Sequence, residues 1–315
     1  MSRKPRSFSL FFLPILSMGL FSCSSPIHHL EYVYAYGTTW EIHLYEGKKA
    51  DAENLASFVS SSSSILDLDS RVEGGIGLLN QQGQVKANPF LLDAISLARE
   101  VEALSKGSFS ISLGKLTSSW LTSLEKGEVL SEEVVSSLLE EAKQTHLKIE
   151  EDVIYKIGDG QIDLGAIGKG LCLDKIKIKL DELGIKKYLI NAGSSSLLIG
   201  ENSSASGEVK VNLDDLKGKY FYAKNMAVSC SSISRQKYEI GGQVYSHIID
   251  ANSGSASAKH QAAILAGDKA GLLDGLSTSL MNLGESELKE FEKEGIKGAL
   301  IDKEGLFYAS EGFLL

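Results

Sequence analysis

The chain holds only four prolines in 315 residues, and none follows Pro89. With no Ser/Pro linker or charge block in the remainder, a beads-on-a-string arrangement is disfavoured and one compact body is expected. Cysteine is as sparse. Cys23, Cys172 and Cys230 include no close pair and no histidine at a metal-ligand spacing, so neither a disulfide framework nor a zinc site is indicated. Cations are outnumbered, with Lys plus Arg at 32 against 41 Asp plus Glu and a net charge of -9. That balance argues against a broad nucleic-acid-binding surface, since phosphate backbones need clustered cations. Apolar residues, by contrast, make up 43% of the chain, enough for a sizeable core. Global disorder is excluded, and stability has to come from packing.

The first residues differ in kind from the rest. Arg3, Lys4 and Arg6 precede a largely apolar, uncharged run from Phe8 to Phe21, the layout of a secretory signal. A spanning helix needs about 20 apolar residues, and this run is shorter and interrupted by Pro14. It ends in Leu20-Phe21-Ser22-Cys23, which resembles the bacterial lipobox that marks cleavage before a cysteine and acylation of that cysteine. The alternative is an ordinary signal peptide with an incidental cysteine. The resemblance implies a lipoprotein signal peptide over 1–22, a lipidated tether over 23–30 starting at Cys23, and a body over 31–315. That body would be anchored to a membrane of the bacterial cell envelope and face the periplasm. Loss of residues 1–22 removes three cations, leaving 29 against 41 anions and a net charge of -12. A lipid tether, and not a basic face, would then hold it to the membrane.

Trp40, Ile42 and Leu44 alternate with Glu41, His43 and Tyr45, the period of a half-buried strand after a turn at Gly37-Thr38-Thr39. Asn88-Pro89 supplies an N-cap and a first-turn proline for a helix with Leu91, Ile95 and Ala98 on one stripe, stopping near Gly107. Ser131 opens another through Val134, Leu138 and Ala142. Beyond Leu147 the pattern predicts strands, first as a hairpin from 153–157 through Asp159-Gly160 into 162–164. Strands at 188–190, 197–199, 209–211 and 220–223 follow, then a hairpin around Gly241-Gly242 leading into 245–249. A strand at 262–265, helices over about 270–283 and 286–293, and a hairpin turning near Glu304-Gly305 complete the chain. The fold class is α+β, with a mixed or antiparallel sheet and flanking helices.

Four segments are too peculiar for routine packing. Ile162 to Gly170 runs through small residues into a helix that reads as amphipathic on Ile176, Leu180 and Leu183. Its free amides, its positive dipole end and Lys169 suit a phosphate, with a tight packing joint as the alternative. It is neither a Walker loop nor a dinucleotide fingerprint. Tyr188 to Ser196 delivers Asn191 and a small-residue loop, which alone reads as a solvent-facing turn. In His247-Ile248-Ile249-Asp250, strand alternation puts His247 and Ile249 on one side and Asp250 on the other. His247 is either a general base or a structural hydrogen-bonder. Asp274, Ser277 and Thr278, at i, i+3 and i+4, share a helix face distinct from the stripe of Leu273, Leu276, Leu280 and Leu283. Such oxygens are hard ligands suited to Mg2+ when phosphates complete its shell, with a solvated polar face as the alternative.

In this order the four segments resemble the ApbE-like flavin transferases, the bacterial FAD:protein FMN transferases, from about Tyr36 to about Gly284. The family pattern Asp-Leu-Gly-Gly-Ile-Ala-Lys-Gly with a following aspartate is matched by Asp163 to Gly170 with Asp174. Asn-x-Gly-Gly is matched by Asn191 to Ser194, His-Ile-Ile-Asp-Pro by His247 to Asp250 with Ala251, and Asp-x-x-x-Thr by Asp274 and Thr278. Looser matches are Tyr36-Gly37-Thr38 for Met-Gly-Thr and Gly107-Ser108-Phe109-Ser110 for Gly-Ala-Phe-Asp.

The resemblance implies that FAD, as substrate, is contacted by Tyr36, Gly37, Thr38, Ser108, Phe109, Ser110, Asp163, Lys169, Asn191, His247, Ile248 and Asp250. It implies Mg2+ held by the Ala166 backbone oxygen, Asp274 and Thr278, with Ser277 beside them. The implied reaction moves FMN from FAD to a Thr or Ser hydroxyl of an acceptor protein, with His247 taking the proton and AMP leaving. A membrane redox complex subunit is the kind of acceptor the family suggests. Departures at Tyr36, Ser110, Ala251 and Gly74-Gly75, where the family pattern has Ser-Glu, cluster on the flavin side. Two other readings accompany the transferase: a flavin-binding lipoprotein with little catalysis, and an FAD pyrophosphatase yielding FMN and AMP.

Overall fold

The computed structural model describes residues 16–17, 29–201, 207–213, 216, 218–234, 236–256 and 258–315. Cys23 and most of the expected signal peptide and tether lie outside the described residues. Eight strands form one antiparallel sheet: β2 (His29–Ala35), β3 (Thr38–Leu44), β7 (Tyr188–Ala192), β8 (Ser196–Ile199), β11 (Met226–Ser232), β14 (Ala262–Gly267), β15 (Lys297–Asp302) and β16 (Gly305–Ala309). Across the sheet they run β16-β15-β14-β11-β8-β7-β3-β2. β7, β8 and β14 are buried on both faces, so their sequences are continuous apolar or small runs without alternation. β3 keeps the alternation: Trp40, Ile42 and Leu44 expose nothing, and burial of each contributes roughly 2 kcal/mol.

One face of the sheet is covered by α1 (Lys49–Leu66), α6 (Gly165–Glu182) and α7 (Ala270–Leu280), with α3 (Pro89–Leu104) packed against these helices. The other packs on a small sheet of β1 (Leu16–Ser17), β9 (Val209–Leu213) and β10 (Tyr220–Ala223). A third apolar cluster joins α4 (Gly114–Glu125), α5 (Glu132–Gln144) and the hairpin of β12 (Lys237–Ile240) with β13 (Gln243–Ser246). The rest comprises α2 (Ile76–Gln82), a sheet of β4 (Gln84–Lys86), β6 (Val153–Ile157) and β5 (His146–Glu150), and α8 (Glu285–Lys293) beside β15.

The α3 cap is as read: Asn88 Oδ1 accepts the Phe90 amide at 2.8 Å, and Pro89 fills the first turn. Helices α6 and α7 approach until their backbones touch. A Cβ on Gly170 would lie 2.2 Å from the Ala270 carbonyl oxygen, which is why that position is glycine. This approach brings Gly170 beside Asp274.

Several sequence expectations are corrected. The hairpin pairs β5 with β6 and turns at Glu151-Asp152, with Glu151 at φ 50, not at Asp159-Gly160. Segment 162–164 forms no strand: Asn80 takes both backbone bonds of Ile162, its amide donating to the Ile162 carbonyl and its Oδ1 accepting the Ile162 amide, each at 2.8 Å, which leaves the Asp163 amide to donate to the Ile111 carbonyl at 2.7 Å. Of the stripe read on α6, Ile176 and Leu180 are fully buried but Leu183 lies at the exposed end, and the first half of the helix is buried on most sides against α1, α3 and α7. β13 stops at Ser246, so His247 to Asp250 is a loop, with the Ser246 hydroxyl accepting the Ile248 amide at 3.2 Å. α7 ends at Leu280, short of Leu283.

Candidate active site

Helix α7 turns Asp274 inward, where it is 3% exposed. Its Oδ2 accepts the Gly170 amide at 2.7 Å, and its Oδ1 accepts the Ser196 and Ser229 hydroxyls at 2.7 and 2.5 Å. Donors from α6, β8 and β11 therefore hold one buried carboxylate; hydrogen bonds to a charged group contribute about 1.5–3 kcal/mol each. In a regular helix the Gly170 amide would bond the Ala166 carbonyl. Donation to Asp274 competes for that proton and leaves acceptor capacity on the Ala166 oxygen. The Thr278 and Ser277 hydroxyls donate back to the Asp274 carbonyl at 3.0 and 3.1 Å, and Ser231 Oγ lies 3.2 and 2.9 Å from them.

Two further carboxylates act at helix ends. Asp163 Oδ1 accepts the Gly165 amide at 2.8 Å, opening α6, and burial raises its carboxyl above the usual range. Asp174 accepts the Ala270 and Gly271 amides at 2.7 and 2.9 Å and so caps α7 from a neighbouring helix. Burial pushes Asp174 up to about 6, its two amide bonds pulling the other way.

Asp163, Ser196, Ser229, Ser231, Asp274 and Thr278 border a cavity of about 590 Å³, within the range of roughly 300–1,000 Å³ usual for small-molecule sites. Of the residues proposed for flavin, Ser108, Phe109, Ser110, Asp163, Lys169, His247 and Ile248 line it; of those proposed for metal, Ala166, Asp274 and Thr278 do. Burial first, and then the Lys169 charge, lower the His247 pKa, so the imidazole is neutral at pH 7. Its Nδ1 is buried without a hydrogen-bond partner. Among the described residues no other cavity-lining side chain carries such an orphaned atom.

Six proposed residues lie off the wall. The Tyr36 hydroxyl donates to Ser62 Oγ at 2.9 Å, Ser62 lies 3.3 Å from the Cys172 sulfur, and the Tyr36 ring packs 5.6 Å from Trp40, so the phenol is spent on the core. Tyr36 and Gly37, at φ 54 and 71, make the β2–β3 turn, and Thr38 opens β3, so the turn falls one residue before the expected Gly37-Thr38-Thr39. Thr38 fits against Gly193, where a Cβ would sit 2.2 Å from its hydroxyl. Asn191 Oδ1 accepts the Ser194 amide at 2.7 Å. Asp250 accepts the Asn252 amide and the Ser253 hydroxyl, closing its own turn. Ser277 is fully buried behind the wall.

Other wall residues escaped the sequence reading. Ser229, Ser231 and Ser232 come from β11, whose serine-rich sequence carries no strand signal. Leu113, at the N-cap of α4, and Thr117 and Leu121 within it share a spacing of four, which was the available clue. Glu102 on α3 supports the wall from behind: its Oε1 accepts the Ile111 amide at 3.3 Å and its carboxylate takes the Ser110 hydroxyl. Burial raises that carboxyl too.

The fold and cavity define an α+β protein with one large cleft walled by hydroxyls, carboxylates, a lysine and an imidazole. The chain belongs to the ApbE family, whose model matches residues 36–300. It is 23% identical over 300 residues to an FAD:protein FMN transferase of Klebsiella pneumoniae, covering 88% of this chain and 83% of that protein. It is 24% identical to one of Rhodobacter capsulatus, covering 89% of this chain but only 56% of that longer relative. Among solved structures, the ApbE protein of Thermotoga maritima superposes with a TM-score of 0.77 at 20% identity, over 90% of this chain and 96% of the other. The flavinyl transferase ApbE of Pseudomonas stutzeri gives 0.72 at 22%, over 88% and 92%. At these identities the structural likeness speaks for the fold.

Proposed function

We propose that this chain is an Mg2+-dependent FAD:protein FMN transferase that attaches FMN to a Thr or Ser hydroxyl of a partner protein. The observation that supports it most is the meeting of Asp274, Thr278, Ala166, Lys169 and His247 on the wall of one cavity. The acceptor oxygen bonds to the FMN phosphorus of FAD, the bridging P–O bond to the AMP phosphate breaks, and AMP leaves. Neutral His247 accepts the hydroxyl proton, and Lys169 and the open end of α6 balance phosphate charge.

The Ala166 carbonyl, Asp274 and Thr278 offer hard oxygens that fit Mg2+ shared with a diphosphate. Bound there, the ion would neutralise diphosphate oxygens. The same arrangement admits water in place of the acceptor, giving FAD hydrolysis to FMN and AMP. Acylation of Cys23 would place the enzyme at a membrane of the cell envelope, facing the periplasm, where a subunit of a membrane redox complex is an accessible acceptor.

The test is mass spectrometry of a peptide bearing Asp-x-x-Ser/Thr-Gly-Ala-Thr after incubation with the chain, FAD and Mg2+. FMN on the peptide with matching AMP is expected. AMP without modified peptide would leave a hydrolase, and neither product would leave a flavin-binding protein.

A further inference from the structure

Strand β2 closes one edge of the main sheet, and its two sides are unlike. Ala35 is buried and Val33 half-buried against the core on the side covered by α1. On the other side Leu30, Tyr32 and Tyr34 stand in a row, 36%, 61% and 73% exposed. Tyr34 faces Thr39 across the ladder, and Tyr32 faces Glu41, whose carboxylate lies 3.4 Å from His43 Nε2. Aromatic side chains with an apolar body and a polar tip favour the headgroup level of a bilayer.

The chain outside the described residues ends where this row begins. Only six residue steps separate Cys23 from His29, a reach of about 20 Å when fully extended. A body of this length has a radius of gyration of about 19 Å and is therefore about 50 Å across. A tether shorter than half the body cannot let it tumble freely; it holds the β2 edge nearest the membrane. The acidic body disfavours anionic lipid, so attraction has to come from the tyrosines and leucine at a zwitterionic surface.

We propose that the Leu30-Tyr32-Tyr34 face of β2 lies on the bilayer surface and fixes the orientation of the enzyme relative to its membrane. The inference rests on the acylation of Cys23 proposed above. Its consequence is that the cleft is presented to acceptors at one fixed attitude.

The test is enzyme-catalysed iodination of tyrosines, read by mass spectrometry, on the full acylated chain in phosphatidylcholine vesicles, with residues 24–315 free in buffer as reference. Tyr32 and Tyr34 should lose about five-fold or more of their labelling on the vesicles. Tyr308, half-buried on β16 at the opposite sheet edge, should keep its own. Undiminished labelling of Tyr32 and Tyr34 on chains that float with the vesicles overturns the proposal. So does protection without lipid that grows with protein concentration, which would assign the edge to a second copy. An unacylated Cys23 overturns the anchor alone. Coupling that thiol to a maleimide lipid then repeats the comparison, with the same two outcomes deciding it.

Discussion

Around Asp274 the cleft wall is wired by hydrogen bonds, whereas the wall from Ser108 to Leu121 is held mainly by packing. The first end gathers an amide and two hydroxyls on one carboxylate, with every donor at 2.7 Å or closer. The second sets Leu113 and α4 against α5 and the β12–β13 hairpin, with Trp120 stacked 5.8 Å from Tyr245 and donating its indole N–H to the Gly254 carbonyl at 2.9 Å. A wired end tolerates little change in residue type, because each lost partner strands a buried donor. A packed end accepts any residues of suitable volume. Of the departures from the family pattern, Ser110 and Ala251 fall at the packed end, while Tyr36 and Gly74-Gly75 lie off the cavity wall, so the four do not cluster as expected; Asp274, Thr278, Lys169 and His247 remain.

The sharpest way to break this contrast is at Asp274. Asp274→Asn should lower FMN transfer by on the order of 10³-fold while leaving the fold intact, because a neutral amide neither holds a dication nor matches three donors. Asp274→Ala should in addition lower unfolding free energy in urea by about 2–4 kcal/mol, since it strands the Gly170 amide and two hydroxyls. Full transfer by Asp274→Asn would show that the wired end is structural only.

His247 comes next. His247→Gln should reduce kcat by about 10²-fold or more. Because burial lowers the pKa of this histidine, the acid limb of the kcat/KM profile should fall below the ordinary value of about 6.5. The same shift means stability is lost as pH drops from 6.5 toward the folded value, since only the unfolded chain then takes up the proton freely. An acid limb at or above 6.5 would contradict the assignment.

At the packed end smaller effects are expected. Glu102→Ala should raise KM for FAD about three- to ten-fold with little change in kcat, because the Ser110–Ile111 turn loses its anchor. Ser110→Asp in that background should recover part of the loss by capping the turn from within, and a fall in kcat alone would sink this role. The least effect belongs to Asp174. Its folded pKa, about 6, lies above the usual carboxylate value of about 4, so the protonated carboxyl favours the folded state. Its contribution to stability should decline as pH rises from about 4 to about 6, and Asp174→Asn should flatten that slope in urea titrations.

The same contrast decides what could be read from sequence. Part of the wired end could be read from helical spacing: Asp274 and Thr278, a turn apart, both border the cavity, whereas Ala166 entered only through the family resemblance. The strands with plain alternation or apolar runs, such as β3, β8 and β14, were equally plain. Helix α1 was hidden by its serines, four of which bond back to carbonyls of their own helix. β11 was hidden because a strand buried on both sides that also lines a polar cavity has no alternation to show. Tyr36, Thr38 and Asn191 occupy motif positions, yet motif position carries no direction. The Tyr36 phenol bonds Ser62 in the core, Thr38 packs on Gly193, and Asn191 accepts the Ser194 amide, which only the three-dimensional arrangement reveals.

In the proposed function the diphosphate of FAD lies at the Asp274 end of the cleft. Phosphorus NMR of bound FAD with Mn2+ replacing Mg2+ tests it most directly. Strong broadening of both phosphorus resonances in the unaltered chain, lost in Asp274→Asn at saturating FAD, is the predicted result. Sharp phosphorus lines from a saturated complex in the presence of Mn2+ would contradict it.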